Sequence, residues 1–131
     1  MTGRHTLPAP IRLRVAAGLA LLVELGCIAW FASRGGESQV QIQSLLMLGD
    51  KAVHALAFGL AGLTATLASR SSAATAAGLC AVAAAIEILQ SFVPDRTASA
   101  LDFAASVGGV AAGVVLGVVL WPILLGRLRR A

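Results

Sequence analysis

Charged residues are scarce in this chain, where they make up 12% of the sequence against 58% for hydrophobic residues. A soluble domain of ordinary composition carries about a quarter charged residues. We therefore expect lipid to surround most of the chain, which is long enough for one domain. The net charge of +4 does not indicate nucleic-acid binding, because the basic residues flank apolar runs and form no polar surface along which phosphates could bind.

Cysteine is also rare, and the two that occur, Cys27 and Cys80, lie inside apolar runs, where a thiol behaves as a small hydrophobe. Two such residues predict no disulfide framework. The chain has no HExxH motif and no nucleophile elbow. We predict no cofactor and no bound metal, and we favour a non-catalytic role while leaving enzymatic activity open.

Long apolar runs dominate the chain instead. About 20 helical residues at 1.5 Å each cover the hydrocarbon thickness of a bilayer. We predict an all-α fold, an integral membrane four-helix bundle that forms a single domain over residues 1–131. The predicted spans are residues 15–33, 52–69, 73–93 and 103–126, residues 1–12 are expected to be disordered, and a short interfacial helix is expected between the first two spans.

Lysine and arginine are distributed unequally between the two ends of these spans, and cytoplasmic loops carry the excess. With the N-terminus inside, the outer side holds Arg34, Lys51 and Arg96. The inner side then holds Arg4, Arg12, Arg14, Arg70, Arg127, Arg129 and Arg130. We predict that both termini are cytoplasmic.

Three glycines, Gly109, Gly113 and Gly117, recur every four positions on the last span. Such a ridge allows helix backbones to approach closely within a membrane. Asp102 and Ser106 fall on nearly the same stripe, so we expect the packing face to be the polar face too. The ridge suits either the internal fold or a homo-oligomer.

Polar residues gather in two clusters at the predicted outer ends of the spans. They are Asp50, Lys51 and His54 at the start of the second span, and Glu87, Gln90, Arg96 and Asp102 around the end of the third. Glu87 lies about two turns before Pro94 and so within the membrane, where an ionisable group normally faces the interior with a partner. That partner could be His54, Lys51 or Arg96, and Arg96 could instead pair with Asp102.

Glu24 stands apart from both clusters, in the middle of the first span. A carboxyl group at this depth needs a hydrogen-bonding partner, which could be His54 or a backbone group. We favour simple hydrogen bonding over a proton relay.

At these residues the chain resembles the VanZ-like family, named for a teicoplanin-resistance protein. The matching segments are Asp50-Lys-Ala-Val-His54, Glu87-Ile-Leu-Gln90, Pro94-Asp-Arg96, Asp102 and Gly109. The resemblance covers about residues 45–120 and implies a small bacterial protein of the cytoplasmic membrane, with some members linked to lowered susceptibility to lipoglycopeptides. Phe58 and Ser106 depart from the pattern, which usually has an aromatic hydroxyl and an asparagine there, and both changes reduce hydrogen-bonding capacity.

Three interpretations of the polar clusters are open. The first is a set of structural contacts that fix the outer ends of the helices. The second is an anionic head-group site built on Lys51, Arg96 and protonated His54, and the third is a catalytic or metal-binding group. We predict an outward pocket that binds a lipid or envelope-precursor head group, linked to glycopeptide susceptibility. Alternatives are a scaffold subunit of an envelope enzyme, an intramembrane enzyme acting on a lipid-linked substrate, and a small proton-coupled transporter.

Overall fold

The computed structural model describes residues 9–46, 48–69 and 71–128, and within these ranges the chain is helical with no strand. The helices are α1 (Ala9–Ala32), α2 (Gly36–Leu46), α3 (Asp50–Ala68), α4 (Ser72–Gln90) and α5 (Ala100–Leu128). Helices α1, α3, α4 and α5 are long and apolar enough to cross a membrane. The predicted all-α class is confirmed, and α2 is the short helix expected between the first two spans.

Each helix end differs from the predicted span by one to six residues, and two of these differences have a local cause. α1 begins at Ala9, inside the segment 1–12 expected to be disordered, because proline is tolerated in a first helical turn and Pro10 does not break the helix. Residues 1–8 of that segment lie outside the described residues. α4 ends at Gln90 rather than at position 93, since Pro94 disfavours helical geometry in the residue before it and tighter turns follow, such as Val93 N–H to Gln90 O at 3.1 Å.

The closest helix pair is α3 with α5, and α1 and α4 pack around it. Gly109 faces the backbone of Ala55 and Gly113 faces the backbone of Gly59, so closely that a Cβ on Gly113 would lie 2.8 Å from Leu63 N. A side chain at either position would separate the helices. The glycine ridge therefore packs against α3 of the same chain.

The core of the described residues is small, and its most buried members are Phe58, Ala61, Ala83 and Val110. Large apolar side chains lie outside instead, among them Leu22, Val23, Leu56, Ile88, Leu101 and Val115. A soluble monomer rarely exposes so extensive an apolar surface. This arrangement suits a bundle whose outer faces contact lipid.

Candidate functional site

The polar residues predicted from the sequence meet where the start of α3, the end of α4 and the start of α5 come together. Asp50 is the first residue of α3, Gln90 is the last of α4, and Asp102 lies in the first turn of α5. Gln90 and Asp102 are buried, whereas the Asp50 side chain is about one-third exposed, at 32%. Three helix ends therefore place these side chains side by side at one end of the bundle.

His54 occupies the centre of this cluster, one helical turn after Asp50. Its Nδ1 lies 3.2 Å from Ser106 Oγ, and the Ser106 hydroxyl donates to the backbone carbonyl of Asp102 at 2.9 Å. Its Nε2 lies 3.8 Å from Asp50 Oδ1, and its Nδ1 lies 3.9 Å from Glu87 Oε1. The imidazole thus lies among groups from all three helices.

Glu87 is buried, and its carboxylate is divided between two environments. Oε2 accepts the backbone N–H of Ser99 at 2.9 Å, which ties α4 to the segment before α5. Oε1 has no hydrogen-bond donor among the described residues, and of the basic side chains there only that of His54 lies within 4 Å of it, with Nδ1 at 3.9 Å. Of the partners considered for Glu87, the structure brings His54 into reach.

Lys51 extends toward Asp102 rather than toward Glu87. Its Nζ lies 3.4 Å from Asp102 Oδ1, with the lysine side chain 56% exposed and the aspartate 10% exposed. The geometry is that of an ion pair and not of a hydrogen bond, because Asp102 Oδ1 has no hydrogen-bond partner within the described ranges. An exposed lysine offsets only part of the charge of a buried carboxylate.

Arg96 does not make either of the contacts considered for it, with Glu87 or with Asp102. Its guanidinium donates to the carbonyls of Phe31 at 3.4 Å and Arg34 at 3.5 Å instead. The last carbonyls of a helix have no partner within that helix, and a cation near them is also favoured by the helix dipole. The loop after α4 is thereby fastened to the end of α1.

A cavity of about 480 Å³ opens beside the cluster, between α1, α3 and α4. Its walls are mostly apolar and include Ile28, Phe31, Val53, Phe58, Leu60 and Ile86. Asp50, His54, Gln90 and Arg96 line it as well, together with Glu24 on α1. The cavity therefore combines an apolar wall with the polar cluster.

Glu24 has a partner that the sequence reasoning missed. The Thr64 hydroxyl on α3 lies 2.6 Å from Glu24 Oε2, whereas His54 and the backbone had been expected. Thr64 also lies within hydrogen-bonding distance of the Leu60 carbonyl, at 2.9 Å. Hydroxyl side chains commonly hydrogen-bond between helices in membranes, and that signal was present in the second apolar run.

Comparison with protein-family models, with curated proteins and with solved structures finds no match for this chain. The interpretation of the site thus depends on its own residues. Two arrangements are chemically available to it: recognition of an amphiphile by the cavity, and coordination of a cation by Asp50, His54 and Asp102, whose ligand atoms lie close together.

Proposed function

We propose that this chain is a four-span protein of the bacterial cytoplasmic membrane, of the VanZ-like type, with both termini in the cytoplasm. Four apolar helices with large apolar side chains on their outer faces support the membrane location. The excess of arginine at the ends away from the polar cluster supports the orientation. The polar cluster then opens to the outside of the cell.

The cavity, in this proposal, binds an amphiphile such as a lipid or a lipid-linked envelope precursor. The observation that supports this proposal is that a single cavity of about 480 Å³ has both an apolar wall and polar side chains. Ligand cavities commonly range from about 300 to 1,000 Å³ and have few polar groups on mostly apolar walls. The tail would lie between α1 and α3, and the head group at Asp50, His54, Gln90 and Arg96.

Arg96 is the residue we assign to an anionic head group. A guanidinium has five N–H donors, so its two carbonyl contacts leave donors for a phosphate. Lys51, which pairs with Asp102 and does not line the cavity, adds a second positive charge at the same end of the bundle. Sequestering such a lipid would alter envelope composition or the access of glycopeptides such as teicoplanin.

The test is mass spectrometry of lipids that co-purify with the wild-type protein and with Arg96→Ala. We expect enrichment of an anionic or polyprenyl lipid over the bulk membrane, reduced about tenfold or more in the variant, because a hydrogen bond to a charged group contributes about 1.5–3 kcal/mol. Arg34→Ala is the matched control, since Arg34 is at the same end but stacks on Trp30 at 4.3 Å. Bulk lipid alone in every sample would contradict the proposal and favour the scaffold alternative.

A further inference from the structure

Three side chains at the polar end of the cavity have the composition of a metal-ligand set. Asp50, His54 and Asp102 each offer one ligand atom, and these atoms all lie within 4.8 Å of one another. We propose that they hold a divalent cation of the Mn²⁺ or Zn²⁺ class. This proposal differs from the sequence-based prediction of no metal, which was based on the lack of a sequence motif. The proposed ligands come from two helices, and His54 and Asp102 are 48 positions apart.

The hydrogen bonds of His54 prepare one ring nitrogen as a ligand. Ser106 has one hydroxyl proton, and it donates that proton to the Asp102 carbonyl. Ser106 Oγ therefore accepts from His54 Nδ1–H, and the neutral ring carries its lone pair on Nε2, which lies 3.8 Å from Asp50 Oδ1. A lone pair beside a carboxylate is unfavourable, and either a proton on Nε2 or a cation bound between the two groups relieves it. Metal-bound histidines usually donate their other ring N–H as His54 does here.

The buried oxygens supply an observation independent of that ring. The side chains of Asp102 and Glu87 are each 10% exposed. In the part of the chain that the structure describes, Asp102 Oδ1 and Glu87 Oε1 have no hydrogen-bond partner. A buried carboxylate oxygen without a hydrogen-bond donor is unfavourable, and the half-exposed Lys51 Nζ, 3.4 Å from Asp102 Oδ1, offsets only part of that charge. A cation held by Asp102 and His54 would offset the charge of both carboxylates, with Glu87 beside the imidazole as an outer neighbour.

The donor set selects the class of cation. Carboxylates suit Mg²⁺, Ca²⁺ and Mn²⁺, and imidazole suits Zn²⁺ and other transition metals. A set of two carboxylates and one imidazole therefore favours Mn²⁺ or Zn²⁺. Because ligand atoms about 2.0–2.2 Å from a common ion lie nearer to one another than 4.8 Å, we expect the side chains to draw together on binding, which the partly exposed Asp50 allows.

The position of the three ligands also determines where open coordination sites would face. Asp50 and His54 line the cavity, whereas Asp102 does not. Three protein ligands leave at least one position for water or another oxygen donor. The cation site does not depend on the proposed amphiphile, but where both hold, a phosphate in the cavity would complete the coordination.

The test is binding of MnCl₂ alone to tag-free protein in detergent, followed by the electron paramagnetic resonance signal of free Mn²⁺ and repeated with Zn²⁺ in competition. We expect one ion per chain, with affinity lowered about 10- to 100-fold or more in His54→Phe and in Asp102→Asn. Glu37→Gln is the matched control, because it removes an exposed carboxylate at the start of α2. Equal affinity in all four proteins, or no binding beyond that of a protein-free detergent blank, would overturn the inference.

A variant that fails to fold is recognised by its helical circular dichroism and its elution in size-exclusion chromatography. Asp50→Asn then decides the question, because Asp50 is the most exposed of the three proposed ligand side chains and an amide should be tolerated there. Unchanged Mn²⁺ affinity in folded Asp50→Asn would also overturn the inference. Since no lipid is added, failure here leaves the lipid co-purification result standing, and lipid enrichment without Mn²⁺ binding would separate the two proposals.

Discussion

Ser106 differs from the residue that the VanZ-like resemblance implies at its position, yet it makes two hydrogen bonds within the polar cluster. The VanZ-like resemblance implies an asparagine at this position, and its loss implied weaker hydrogen bonding. In the structure Ser106 is almost fully buried and connects His54 Nδ1 to the Asp102 carbonyl. A hydroxyl both accepts and donates, so the serine orients the imidazole with a shorter side chain. Phe58, the second departure, belongs to the buried core and to the cavity wall.

Glu87 connects α4 to the segment before α5 through the hydrogen bond that its carboxylate accepts from Ser99. Glu87→Ala removes the acceptor of the half-buried Ser99 backbone N–H. We expect it to lower the free energy of unfolding by about 1.5–3 kcal/mol, the contribution of a hydrogen bond to a charged group. Glu87→Gln keeps a carbonyl oxygen for that bond and should lose less. Denaturation in mixed micelles, followed by circular dichroism, measures both. Equal loss in the two variants would show that the Ser99 hydrogen bond does not support the fold.

At the scale of elements, the contact between α3 and α5 brings the cluster together. Gly109 and Gly113 let the backbones approach to the limit set by the Ala55 and Gly59 carbonyls. Ser106 and Asp102 continue the same stripe one and two turns from Gly109 toward the start of α5. The same close approach therefore brings Ser106 against His54 and Asp102 against Lys51. The glycines therefore act on the site by setting the distance between two helices.

Substitution of a glycine in the ridge tests whether close packing of α3 and α5 determines the geometry of the cluster. Gly113→Ala places a methyl group against the backbone of Gly59 and Leu63, and overpacking of this kind costs about 1–3 kcal/mol. We expect a lower unfolding midpoint and, because α5 shifts, weaker Mn²⁺ binding. Gly108→Ala is the control on the same helix, since a Cβ there meets nothing within 4 Å. If the two variants have the same unfolding midpoint and the same Mn²⁺ affinity, the close packing of α3 against α5 does not determine the geometry of the cluster.

At the scale of the whole molecule, the bundle has two different ends. One carries the polar cluster and the contacts of Arg96 with the end of α1. At the other, the Arg14 guanidinium donates to the Ser69 carbonyl at 3.3 Å and stacks over Trp121 at 4.8 Å. An arginine and a tryptophan at the end of a span are typical of a membrane interface.

We predict that the end of the bundle with the polar cluster lies outside the cell and that the C-terminus is cytoplasmic. In a variant with Cys27 and Cys80 changed to alanine, Thr97→Cys should react with a membrane-impermeant maleimide in intact spheroplasts, because Thr97 is exposed beside the cluster. Ala131→Cys should react only after lysis, since positive charge favours the cytoplasmic side. The reverse pattern would place the polar cavity inside the cell and rule out an outward-facing head-group site.

Much of the architecture could be predicted from the sequence because it depends on local spacing. Apolar runs of about 20 residues predict spanning helices. The spacing of three or four residues between Asp102, Ser106, Gly109 and Gly113 places them on nearly one face of α5. The same reasoning gathers Asp50 and His54 on one face of α3. In a helix, positions three or four apart become neighbours whatever surrounds them, so these assignments needed no tertiary information.

The partners across helices were decided only by the tertiary structure. Thr64 beside Glu24, Ser106 beside His54, and Arg96 at the carbonyls that end α1 join residues 40 to 65 positions apart. Which of these side chains meet depends on how each helix is rotated and how far it is shifted along its axis relative to its neighbours. For the polar cluster, the glycine contacts between α3 and α5 determine the rotation and the shift of these two helices. Sequence spacing determines the face that a residue occupies, whereas packing determines what lies opposite that face.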